Sequence, residues 1–262
     1  MQHVKHIMMK KISNIKKKNN KYIITLGDNT QLEFYSDTLI KYNLLKPREL
    51  RDSELKEIIN YNNYYEAFNK SLKLIGNKQR TKKELKDKLR GYSPDIIDKV
   101  TKKLEELGYL NEESYIKSYI NDQINLGTKG PNYIKRELEK LDLSTDLIKE
   151  TLDEVDNKTW ATKIEKIINK KINTNKKLSK NNLLLKIKKD LINLGFDIDM
   201  INNIVNSVEI KEDDEALEKE YQKEYKKLSR KYEDKELEIK LKYNLYKKGF
   251  NLSNIEKMIN KY

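Results

Sequence analysis

The groups able to do chemistry are few in this chain. Only two histidines occur, His3 and His6, and there is no cysteine. Two imidazoles beside the chain start, with no carboxylate or thiolate near them in sequence, do not make a metal site. The stretch Gly127-Thr128-Lys129-Gly130 has the glycines of a phosphate loop. It lacks the GxxxxGK[ST] spacing and no strand precedes it, so Pro131 reads instead as the first residue of a helix. No G-x-S-x-G occurs and no histidine falls in the body of the chain, so acid–base or nucleophilic catalysis has no evident agents. The expectation is a non-enzyme with no catalytic residue, cofactor or metal.

Positive charge remains. The chain carries 55 Lys and Arg against 42 Asp and Glu, a formal net charge of +13. Such a balance suits a polyanionic partner. Candidate contacts follow: Arg80, Lys82, Lys83, Lys86 and Arg90 around one short helix, a cluster that a solubilising helix face describes nearly as well, and Lys135 with Arg136 beside Glu137 and Glu139. Lys186, Lys188 and Lys189 form a third group. Tyr109, Tyr115, Tyr119 and Tyr133, among 17 tyrosines, could stack on bases, although the spacing of Tyr115 and Tyr119 equally describes a buried helix stripe.

These residues sit on repeated helical elements. Gly91-Tyr92 ends one helix, and a comparable junction recurs at Asp142-Leu143, Gly195-Phe196 and Gly249-Phe250, at intervals of 51, 53 and 54 residues. Each junction is followed six residues later by isoleucine: Ile97, Ile148, Ile201 and Ile255. Counting back eight and four from the last three junctions gives Ile134 and Leu138, Ile187 and Leu191, Leu241 and Leu245. In the first module Leu85 and Leu89 sit two positions closer, which implies a shorter second helix. Thr81 caps that helix, and Ser93-Pro94 opens a third whose apolar face is Ile97, Val100, Leu104 and Leu107. No such unit can bury its apolar face alone, so the units should stack into an elongated, curved array of three-helix repeats. The expected modules span 63–110, 111–156, 157–208 and 209–262, the last with Leu217, Tyr221, Tyr225, Leu228 and Tyr232 as a thin stripe on one or two long helices. Trp160, the sole tryptophan, is expected to pack against the second module.

Residues 1–62 differ. Residues 1–9 read as frayed, while 21–26 and 31–35 alternate around Gly27-Asp28-Asn29-Thr30 as a β-hairpin, with Ile12 and Ile15 in a third strand. Ser36 to Tyr42 forms a short helix, and Asp52 or Ser53 caps another. The fold is thus mainly α, with a small α+β cap. Net charge is +5 for 1–62, +5 for 63–110, −5 for 111–156, +7 for 157–208 and +1 for 209–262. This division suggests that the first and third modules face phosphate and the acidic second a protein partner. No apolar run reaches a membrane span and no signal peptide is visible, so a cytoplasmic protein is expected.

The segment from Ile12 to Ile58, with its hairpin and its DTLIKYNLLKPREL run, resembles the N-terminal region of the RecX regulatory proteins of low-GC Gram-positive bacteria. TKKELKDKLRGYSPDIIDKVTKKLEELGYLNEESYIKSYI is similar to the family's central signature, and GTKGPNYIKRELEKL to its "GP..I..EL" element. Asn43 and Pro47 stand where the family usually has glycine, and Asp142-Leu143 where it has Lys-Gly. The resemblance implies a monomeric, non-enzymatic regulator that binds the RecA recombinase and its filament on single-stranded DNA, and restrains strand exchange and ATP hydrolysis in recombination and repair. A helical-repeat protein that binds nucleic acid by charge alone is the alternative.

Overall fold

A computed structural model of the chain describes residues 9–175, 177–208 and 214–262. His3 and His6 therefore lie outside the described residues. The chain divides into two compact units, the first ending at Tyr115 and the second running from Ile116 to Tyr262.

The first unit begins with a four-stranded sheet. Strands β1 (Met9–Lys18), β2 (Lys21–Leu26), β3 (Gln31–Tyr35) and β4 (Glu49–Arg51) lie in the order β3-β2-β1-β4. The β2–β3 hairpin pairs Lys21 with Tyr35 and Thr25 with Gln31. Its turn is closed by the Thr30 N–H donating to Asp28 Oδ1 at 3.0 Å, with Asn29 in the left-handed region at φ +63°. The third strand is real and carries Ile12, fully buried; Met9, expected to be frayed, already pairs with Arg51. Ile12, Ile24, Leu26, Phe34, Leu39, Leu44 and Leu50 form one core beneath α1 (Ser36–Lys41) and the start of α2 (Asp52–Asn77). Asn43, where glycine is family-typical, takes φ +50°, a conformation that asparagine tolerates better than most residues.

Helix α2 departs from expectation. Its N-cap is Arg51, with no side-chain cap hydrogen bond, and Asp52 is already helical. Because β4 runs straight into the helix, no residue is left to serve as a separate cap, and the acids Asp52 and Glu54 act on the helix dipole instead. The helix is 26 residues long and runs without a break through 62/63, where the first module was expected to begin, so that Leu72 and Ile75 lie in its second half. Asn62 explains how one helix serves both ends. Its Oδ1 accepts from the Tyr35 N–H at 3.0 Å and Thr38 Oγ1 at 3.1 Å, and its Nδ2 donates to Glu33 O at 3.2 Å, tying helix to sheet.

Helix α3 (Lys82–Lys88) starts with a complete capping box from Thr81 and Glu84. With seven residues it is shorter than α6 (Pro131–Glu139), α9 (Lys180–Asn193) and α12 (Asp234–Lys247), as the offset of Leu85 and Leu89 requires. Helix α4 (Pro94–Glu106) turns Ile96, Val100, Thr101 and Leu104 inward, whereas Ile97 is half-buried and Leu107 is 48% exposed. The expected face is therefore rotated by one residue at its start and ends a turn early. The cause lies in the junction: Asp142, Gly195 and Gly249 adopt positive φ, but Gly91 does not, which makes the first turn different.

In the second unit the helices are α5 (Glu112–Asn125, from Ile116 onward), α6, α7 (Thr145–Asp153), α8 (Asn157–Asn173), α9, α10 (Ile198–Ser207), α11 (Asp214–Leu228), α12 and α13 (Leu252–Lys261). Ile134, Leu138, Ile187, Leu191, Leu241, Leu245, Ile148, Ile201 and Ile255 are all buried, as the repeat arithmetic requires. Trp160 meets Phe196 edge-on at 6.5 Å, a ring partner within its own 157–208 module. Helices α11, α12 and α13 pack on one another around Leu217, Tyr221, Leu228, Leu241, Leu245, Phe250 and Ile255. Tyr225 leaves the expected stripe and is 43% exposed, and residues 209–213 lie outside the described residues.

Successive second helices meet end to end. The Gly130 N–H at the start of α6 donates to Leu194 O at the end of α9 (2.8 Å), and the Asn132 N–H to Gly195 O (3.0 Å). One repeat on, Ser179 Oγ and Asn182 Nδ2 at the start of α9 both donate to Lys248 O at the end of α12, each at 2.7 Å. Each contact satisfies carbonyls that a helix end leaves without partners, and brings a positive helix terminus to a negative one.

Candidate nucleic-acid interface

The basic group on α3 is built by the capping box, which fixes where the helix starts and hence which way its lysines face. Most of it is already paired. Arg80 lies 3.5 Å from Glu84, Lys82 2.9 Å from Glu105, Lys86 2.7 Å from Asp98 and Arg90 2.6 Å from Asp87. Lys83 is also engaged. The Lys86 hydrogen bond holds the Asp98 carboxyl below its ordinary pKa. Exposed pairs of this kind are worth about 0–1 kcal/mol each, so an arriving phosphate can exchange with the acid at little cost. Arg80 is the exception, because only 19% of its side chain is exposed.

Lys135, half-buried on α6, sits 3.9 Å from Glu139, and Arg136 is exposed. On α9, Lys186 and Lys189 are exposed, while Lys188 donates to Asn202 Oδ1 at 2.9 Å. Among the tyrosines, Tyr109 is 52% exposed, and Tyr133 lies under the Lys129 ammonium at 4.2 Å. Burial raises the Tyr119 pKa, with the charge of Glu137 adding to it. The three basic groups thus remain on separate helices.

Helix α8 carries a basic surface that sequence reasoning missed. Lys158, Lys163, Lys166 and Lys170 line a cleft of about 650 Å³ together with Ile124, Thr128, Thr159 and Ile167. Lys163 Nζ donates to the carbonyls of Gln123 and Ile124, the latter at 3.0 Å, and so ties the end of α5 to α8. Burial, followed by repulsion from Lys166, lowers its pKa. The clue lay in the spacing: 163, 166 and 170 fall at intervals of three and four, one helix face, within the module of highest net charge.

Among the described residues, no group of three His, Asp or Glu side chains could hold a metal, and no helix is long and apolar enough to cross a membrane.

A family model described as RecX, first three-helix domain, matches residues 67–104, the second half of α2 through α4. Regulatory protein RecX of Streptococcus sanguinis is 33% identical over 258 residues, covering 96% of this chain and 99% of that protein. The chain belongs to the RecX family. Regulatory protein RecX of Bacillus subtilis is 29% identical, covering 95% of this chain and 96% of its own length. A RecX crystal structure from Lactobacillus salivarius, 29% identical, superposes with a TM-score of 0.52 over 55% of this chain and 95% of that one. Another crystal structure of regulatory protein RecX, 22% identical, reaches 0.62 over 76% of this chain and shares the fold. The family's three-helix architecture accounts for the repeated junctions.

Proposed function

We propose that this protein regulates the RecA recombinase, binding RecA and its filament on single-stranded DNA as a monomer and restraining strand exchange and ATP hydrolysis. The observation that carries this reading is the 33% identity with Regulatory protein RecX of Streptococcus sanguinis over 96% of this chain and 99% of that protein. The charge distribution supports it. The exposed cations Arg136, Lys186 and Lys189, with Lys82, Lys86, Arg90 and Lys135 in weak surface pairs, can reach phosphate or an acidic protein face, while Arg80 is held by Glu84 and Lys188 by Asn202. The acidic 111–156 module offers a surface of opposite sign to a protein partner.

The test is ATP hydrolysis by RecA filaments on single-stranded DNA as the protein is titrated in at fixed salt, with a basic protein of matched charge as control. A fall in rate below one molecule per RecA protomer, absent with the control, is expected. Unchanged hydrolysis alongside salt-sensitive DNA binding refutes it and leaves binding by charge alone.

A further inference from the structure

The α8 cleft has a composition suited to one class of ligand. From Lys158 to Lys170 it follows the helix for about 18 Å, at about 1.5 Å per residue. Four lysines line it against one carboxylate, Asp156, and that carboxylate already caps α8 by accepting from the Lys158 N–H at 2.8 Å. Among the described residues none of the four ammoniums has an acidic partner, in contrast to the cluster on α3. Lys163 spends two of its three donors on the α5 carbonyls and holds the wall in place. Thr162 gives its proton to Lys158 O at 2.8 Å, so the hydroxyls open to a ligand are those of Thr128 and Thr159. Ile124 and Ile167 supply apolar surface beside these donors.

Ammonium groups spread over this length match several phosphates rather than one anion, and the isoleucines match a sugar or base edge. We propose that the cleft is a nucleotide-phosphate site in which Lys158, Lys166, Lys170 and the Thr128 and Thr159 hydroxyls hold phosphate oxygens while Ile124 and Ile167 meet the nucleoside. The phosphates come either from a nucleic-acid strand, a source that rests on the function proposed above, or from a free nucleotide, which does not.

The experiment measures binding of a labelled oligodeoxythymidylate by anisotropy, and of ATP by the emission of Trp160, whose ring lies 6.0 Å from Lys163 Nζ. The full-length chain is compared with Lys166→Glu/Lys170→Glu and with Lys226→Glu/Lys227→Glu, which makes the same charge change on exposed positions of α11 that have no part in the function proposed above; circular dichroism checks that each is folded. The cleft pair is expected to weaken binding at least tenfold more than the α11 pair. It should also reduce the salt slope for the oligonucleotide by about 1.4, at about 0.7 per single-strand phosphate contact. Preference for the oligonucleotide identifies a strand as occupant, and preference for ATP a free nucleotide; either supports the site. Equal losses from the two pairs, or no loss from the cleft pair with either ligand, overturn it. RecA hydrolysis measured on the same variants separates the two proposals, since restraint that survives the cleft substitutions while ligand binding never depended on them refutes this site alone.

Discussion

Replacing Gly195 by alanine tests whether end-to-end helix contacts hold the repeats together. Gly108, Gly195 and Gly249 share a left-handed backbone, with φ of +76°, +88° and +81°, but they differ in what a Cβ would meet. At Gly108 there is nothing within 4 Å, so alanine costs only the backbone strain, about 1–2 kcal/mol. At Gly249 the Cβ falls 2.8 Å from Ser179 Oγ, a side-chain atom that can rotate away with the loss of its hydrogen bond to Lys248 O, bringing the cost to about 2–3 kcal/mol. At Gly195 the Cβ would strike Tyr133 N and, at 2.6 Å, Tyr133 Cβ. Backbone cannot rotate aside there, so α6 must withdraw from α9, breaking the Gly130 and Asn132 hydrogen bonds as well; the sum is about 3–5 kcal/mol. At about 2–4 °C per kcal/mol for a chain of this size, Gly195→Ala should lower Tm by about 6–20 °C. Urea unfolding followed by far-ultraviolet circular dichroism ranks the three variants, and Trp160 emission, next to Phe196, reports the Gly195 region. A Gly195→Ala protein no less stable than Gly108→Ala refutes the reasoning.

Glu224 and Lys248 supply a second test. Glu224 is buried, 2.6 Å from Lys248 Nζ and 2.9 Å from Asn244 Nδ2, and the Lys248 hydrogen bond lowers its pKa below the ordinary 4.5. For Lys248 burial is the largest influence and lowers the pKa, but the bonds to Glu220 and Glu224 together outweigh it and raise the value above 10.5. The depressed acid therefore stabilises above pH 4.5 and is lost as pH falls through its folded value. The raised base stabilises below pH 10.5 and is lost as pH rises through its own. Circular dichroism against pH should show a plateau between these limits, and Glu224→Ala should cost about 2–3 kcal/mol at neutral pH and flatten the acid side. Asn62→Leu should cost about 2–4 kcal/mol, because it strands the Tyr35 N–H and the Thr38 hydroxyl beneath the sheet; a loss under about 1 kcal/mol in urea unfolding would mean that Asn62 does not tie α2 to the sheet.

Local periodicity alone determined much of this protein. The β-hairpin, the capping box at Thr81, the helix starts at Pro94 and Pro131 and the inward faces of α6, α9 and α12 follow from residues no more than one or two turns apart, whose physics is complete within the segment. The family was equally legible, since its motifs are short and contiguous. What tertiary structure decided involves partners far apart in the chain. Helix α2 runs on past 62 because Asn62 finds hydrogen bonds 24 to 29 residues away. Ile96 replaces Ile97 in the core because the Gly91 turn lacks the left-handed residue of its counterparts. The ion pairs on α3 depend on α4 lying beside it, and the α8 cleft exists only because Lys163 reaches the carbonyls of α5, 39 and 40 residues earlier. Charge per module could be counted from the sequence, but which lysines keep an acidic neighbour is set by packing, and that distinction moves the strongest candidate site from α3 to α8.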